Sequence, residues 1–105
     1  MLKQANFDSD RKVWTGQLCG ELDAVQAPKL IEAVQQLLSK QKGGLELDCT
    51  QLDFVDSMGL GALVKLRKIV QEDGGAITMT HMKQRIYKLF VITNLENSFG
   101  IEVES

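Results

Sequence analysis

The sequence predicts an α/β chain, a mixed β-sheet with packed α-helices in the order β-β-α-β-α-β-α and a closing strand. Three observations carry that expectation. Apolar and polar residues alternate with period two over residues 12–19, 45–49 and 76–80. Between these segments, residues 26–40, 57–72 and 83–92 place apolar side chains every three or four positions, the spacing of a buried helical stripe. Strands separated by helices favour parallel pairing through right-handed crossovers, whereas two strands ahead of the first helix favour a hairpin. The sheet is therefore expected to be mixed.

The elements follow in order. Residues 2–7 alternate weakly and read as an edge strand, and Asp8-Ser9-Asp10 supplies a turn. The second strand, 12–19, alternates Val13, Thr15 and Gln17 with Trp14, Gly16 and Leu18, which leaves the face of Trp14 open. Gly20-Glu21-Leu22-Asp23 closes it. In the first helix Ala27, Leu30, Ile31, Val34, Leu37 and Leu38 form the stripe. Pro28 is acceptable in the first turn because its missing N–H has no helical partner there. Gly43-Gly44 stops the helix, and Leu45, Leu47 and Cys49 define the third strand. A second helix from Ser57 buries Leu60, Leu63, Leu66, Ile69 and Val70 and ends at Asp73-Gly74-Gly75. The fourth strand is followed by a helix with Ile86, Leu89 and Phe90 inward, a turn over 94–99, and a last edge strand near 101–103. The pattern leaves open whether the helices cover one face of the sheet or both.

Composition limits the function. A chain of 105 residues suffices for one domain, 1–105, and 44% hydrophobic residues suffice for its core. A net charge of −2 gives no basic footprint for nucleic acid. No apolar run approaches the roughly 20 residues of a membrane span, and the first residues lack a signal-peptide core, so no membrane is expected and the protein is expected to be cytoplasmic. Cys19 and Cys49 form no C-x-x-C pair and read as two reduced core thiols in strands rather than a disulfide. His81, the one histidine, reads as a loop residue. No cluster has metal-ligand spacing, and no glycine-rich segment matches a nucleotide loop, so neither metal nor cofactor is expected.

The chemistry concentrates at Phe54-Val55-Asp56-Ser57-Met58-Gly59-Leu60-Gly61, where strand gives way to helix. A serine there stands among unpaired N–H groups at the positive end of the helix dipole, a place that suits a phosphate. The simpler account is capping, since Asp and Ser are both favoured N-caps. Two glycines in the opening turn tilt against capping alone. Each costs about 1 kcal/mol relative to alanine in a helix, which implies close approach to the backbone. A serine hydrolase is disfavoured. Val55 stands where G-x-S-x-G needs glycine, and His81 has no neighbouring carboxylate to orient it as a base.

These segments together resemble the STAS-domain anti-sigma factor antagonists of bacteria. The resemblance spans nearly the whole chain and rests on Gly20-Glu21-Leu22-Asp23, the strand 45–49, residues 54–61 with their D-S-x-G-L segment, Gly74-Gly75, and residues 86–95, which look like the family's last helix. It implies a regulator that performs no catalysis itself. The unphosphorylated form would bind an anti-sigma factor that is also a serine kinase and so release the sigma factor. Phosphorylation of Ser57 from ATP would end that binding, and a PP2C-type phosphatase would restore it. Asp23 and Asp56 match acidic positions beside the phosphorylation site, with Met58, Gly59 and Leu60 completing the partner-facing segment. Asp53 is expected to add to the acidity of this end. Met58 replaces the Ser, Thr or Ala common in relatives. A monomer or weak dimer is expected. STAS domains also serve as scaffold or regulatory subunits of stress-signalling assemblies, which stands as the alternative.

Overall fold

A computed structural model describes residues 1–104 and has the expected element order. The strands are β1 (Leu2–Asp8), β2 (Val13–Leu22), β3 (Gly44–Val55), β4 (Ile77–Met82) and β5 (Gly100–Val103). The helices are α1 (Gln26–Lys40), α2 (Ser57–Glu72) and α3 (Gln84–Ile92). The five strands lie side by side in chain order. β1 runs antiparallel to β2, and every other neighbouring pair is parallel.

That order settles where the helices go. Each crossover steps one strand in the same direction, and crossovers of one hand that step one way all lie on one face. Burial agrees. Trp14, Leu45 and Ile77 share one register row, and Gly16, Leu47 and Met79 share another, all of them buried. Thr15, Glu46 and Thr78, one position along, are only half-buried. Parallel sheets are usually covered on both faces. This one keeps a polar face open to water. Trp14 is now placed: it faces the core, meets Phe7 edge-on at 5.3 Å, and its indole N–H donates to the Gln41 carbonyl at 2.8 Å. A buried indole N–H without such a partner would oppose folding.

The helices supply the other half of the core. α1 buries Ala27, Leu30, Val34 and Leu38, and α2 buries Gly59, Ala62, Leu63, Leu66 and Val70. α3 buries Ile86 and Phe90. Phe90 meets Phe99 edge-on at 5.4 Å, and the Arg67 guanidinium lies 5.6 Å from the Phe99 ring centre, which ties the turn before β5 to α2. Among the described residues no helix is long and apolar enough to cross a membrane.

Three details differ from the sequence reading. β2 continues to Leu22, and β3 is one strand to Val55. Register shifts at Gln17/Cys19 and Gly20/Glu21 break the period-two signal that defines a strand in sequence. His81 lies on β4, not in a loop. It adopts φ 55° where the β4–β5 register shifts, and its Nδ1 is 3.5 Å from Asp48 Oδ1 on the open face. A bulge residue with positive φ has no signature in a run of β-formers. Cys19 and Cys49 are both free thiols, but only Cys49 is buried. Burial pushes the Cys49 thiol up to about 12, so it stays protonated and unreactive at neutral pH.

Candidate functional site

Leu22 and Val55 end neighbouring parallel strands in register. Asp23 and Asp56 therefore leave the sheet side by side, each at the start of a helix. Asp56 has extended backbone angles, and its Oδ1 accepts from the Gly59 N–H at 2.8 Å. Its own N–H donates to the Leu22 carbonyl at 3.2 Å, and its carbonyl accepts from Leu60 at 2.9 Å. Asp56 is thus the N-cap of α2. Asp23 does similar work one strand over: its Oδ1 accepts from the Val25 and Gln26 N–H groups at 3.1 and 3.0 Å. Such contacts are worth about 1 kcal/mol each.

The capping role therefore falls to Asp56 and leaves the Ser57 hydroxyl uncommitted. Asp56 holds the helix, and Ser57 is the exposed first residue of α2, with no hydrogen bond from its hydroxyl to another described residue. Met58 beside it is 60% exposed. Gly59 and Leu60 turn inward. Leu60 packs half-buried against the core, and a Cβ on Gly59 would overlap the Leu22 carbonyl oxygen. The close approach that Gly59 permits is to the chain's own β2. Gly61 is different: apart from its chain neighbours and the surrounding backbone of its own helix, no atom lies within 4 Å of the point its Cβ would occupy.

Beyond Ser57 a groove of about 390 Å³ runs between α1 and α2. Ala27 and Ile31 line it from α1, and Ser57, Met58, Gly61 and Lys65 from α2. It exists because the facing side chains are small. The sequence reading passed over it. The available signal was small residues at Ala24, just ahead of α1, and at Ala27 on α1, with Gly61 and Ala62 on α2.

The other flank of the turn is held by cations. β3 has no β4 partner beyond Asp48, which pairs with Thr80. On that bare edge the Lys83 ammonium donates to the carbonyls of Thr50 and Leu52 at 2.6 and 2.9 Å, and Arg85 donates to the carbonyl of Asp53 at 2.6 Å. The start of α3 thus stands in for a missing strand. The exposed Asp53 carboxylate lies 3.6 Å from Lys83. Lys83→Met should cost about 0.5–1.5 kcal/mol, because two edge carbonyls, one exposed and one part-buried, lose a charged donor. A lowered denaturant midpoint, with faster amide exchange over residues 50–56, would register it. An unchanged midpoint would show the tether to be dispensable.

Comparison with known proteins places this arrangement in a family. The family model described as STAS domain matches residues 12–105. The anti-sigma-B factor antagonist of Bacillus subtilis is 32% identical over 88 residues, covering 84% of this chain and 80% of that protein. A Thermotoga maritima protein of known structure superposes with a TM-score of 0.84 at 21% identity, over 95% of this chain and 85% of that one. SpoIIAA from Bacillus, an anti-sigma factor antagonist, matches at 17% identity in both its solved forms. The TM-score is 0.67 for the unphosphorylated form, over 88% of this chain and 83% of that one. It is 0.70 for the phosphorylated form, over 99% and 93%. These structural likenesses speak for the fold, and the family match together with the Bacillus subtilis relative speaks for descent. The chain belongs to the STAS domain family.

Proposed function

We propose that this protein is an anti-sigma factor antagonist whose Ser57 is its switch. The unphosphorylated form binds an anti-sigma factor that is also a serine kinase, in the cytoplasm, and thereby frees a sigma factor. The observation that carries this reading is the separation of Asp56 and Ser57: the cap is filled, and the neighbouring hydroxyl is exposed beside an apolar groove. The names of the relatives support it, as does the pair of SpoIIAA structures with and without phosphate.

The mechanism follows from charge. The kinase transfers the γ-phosphoryl group of ATP to Ser57 Oγ. An O–P bond forms, the bond to the ADP oxygen breaks, and the hydroxyl proton leaves to a base or to solvent. The surface gains about −1.5 to −2 charges close to two carboxylates, Asp23 and Asp56. A partner that had buried a neutral hydroxyl would now have to desolvate a dianion. The fold bears little of this cost, because the phosphate sits at a helix N-terminus. A PP2C-type phosphatase hydrolyses the ester and resets the surface.

The test is incubation with ATP and the cognate anti-sigma kinase, read by intact mass. One phosphoryl group should appear, map to Ser57, and be absent in Ser57→Ala. Phosphate on another residue, or none, would overturn the reading.

A further inference from the structure

The groove between α1 and α2 has Ser57 at one end and Lys65 at the other, about 12 Å apart by the rise along α2. Buried Ala27 and Ala62 form its floor, and Pro28, Ile31 and Met58 its walls. Met58 is flexible, apolar and mostly exposed, the kind of side chain with which a surface adapts to a partner. Two features decide what can lie there. The main chains of α1 and α2 are engaged in their own helical bonds, so the groove offers no ladder to an extended segment. Such a segment would leave its N–H and C=O groups unpaired on an apolar floor. A helix carries its bonds with it, and its anchors at i, i+4 and i+7 span about 10.5 Å, close to the length of the groove. The second feature is charge. Lys65 is the one charged side chain of the lining, and among the described residues its ammonium has no ion-pair partner. Asp23 and Asp56, at the Ser57 end, already accept from the N–H groups of the helices they cap. The cation at the far end is the charge left for an occupant to complement.

We infer that this groove receives an amphipathic helix of the anti-sigma factor, laid along α1 and α2 with its apolar anchors over Gly61 and an Asp or Glu against Lys65. The inference rests on the proposed function and names the element by which the partner is held. Gly61 gives the anchors their room, since it has no side chain and no atom beyond its own helix and chain neighbours lies within 4 Å of its Cβ position. The pair with Lys65 is exposed and screened, so the apolar anchors carry most of the affinity and the charge sets which helix fits.

The test fills the groove and leaves every charge in place. Gly61→Met puts a flexible apolar side chain at an exposed helical position, and an unchanged melting temperature shows that the variant folds. Its Kd for the purified cognate anti-sigma kinase, measured with ADP so that Ser57 stays unmodified, should rise at least about tenfold, whereas Gly61→Ala should stay within about threefold. With ATP, the KM for Ser57 phosphorylation should rise by a similar factor and kcat should stay within about twofold, because docking is lost and the acceptor is not. Lys65→Glu should weaken binding about threefold to tenfold at low salt, and the loss should shrink at about 1 M salt. Lys68→Glu makes the same charge change outside the lining and should stay within about twofold. Unaltered affinity in Gly61→Met, or equal losses in the two lysine variants, would overturn the inference, and ATP-driven release of the unmodified protein would still uphold the switch. A kinase that failed to bind the unmodified protein would remove both. A dimer of this chain that Gly61→Met dissolves would assign the groove to a second copy and likewise overturn the inference.

Discussion

Gly59→Ala should lower the stability of the fold by about 2 kcal/mol, and its melting temperature by about 10 °C. The substitution adds one methyl group, and helix propensity alone would make it stabilising by up to about 1 kcal/mol. The methyl group would overlap the Leu22 carbonyl oxygen and crowd the Leu22 side chain. Neither atom can yield easily. That carbonyl accepts the Asp56 N–H, and Leu22 is fully buried. The first turn of α2 must therefore lift away from β2, straining the Asp56 cap on which Ser57 depends. Gly61→Ala is the internal control: the added methyl group meets nothing, and stability should rise by about 0.5–1 kcal/mol. Thermal unfolding of both variants checks the pair. Equal effects at the two positions would remove the steric account of Gly59.

Ser57→Asp should weaken capture of the anti-sigma factor about tenfold to thirtyfold, or about 1.4–2 kcal/mol. One carboxylate carries about half to two-thirds of a phosphate's charge and fewer acceptor oxygens, so the true phosphoprotein should bind more weakly still. Ser57→Ala should bind within about threefold of the unmodified protein and should no longer be released by ATP. Both substitutions fall on an exposed residue that caps nothing, so the melting temperature should barely move. Calorimetric titration against the anti-sigma factor distinguishes the outcomes. If Ser57→Asp bound as tightly as the unmodified protein, repulsion and desolvation could not be how the switch works.

Periodicity made most of the fold legible. The α1 and α2 boundaries at 26–40 and 57–72 follow directly from apolar spacing and from the glycines that end each helix. The full lengths of β2 and β3 were hidden, because bulges place two residues against one and erase alternation over residues 17–21 and 50–54. His81 was misread for the same reason. The single-faced sheet required the strand order, which no local pattern contains. At the site, Asp56 and Ser57 were visible as capping types, yet sequence could not assign the cap to one of them. That assignment depends on a hydrogen bond to the Gly59 N–H. The groove left only a run of small residues as its signal, and the Lys83 and Arg85 contacts left none, because each joins elements roughly 30 residues or more apart in the chain.

Assigning the cap to Asp56 also bears on speed. A hydroxyl that held the helix would have to be released before any enzyme could use it, and each cycle of modification would include a local melting event. On the proposed reading, a cap that does not involve Ser57 would let the helix start stay closed while Ser57 is modified and restored. The response time of such a device is then governed by encounter with the modifying enzymes and by their turnover, with no conformational clock of its own. A kinase and a phosphatase acting in opposition could set the modified fraction continuously, and the protein would follow their ratio without lag.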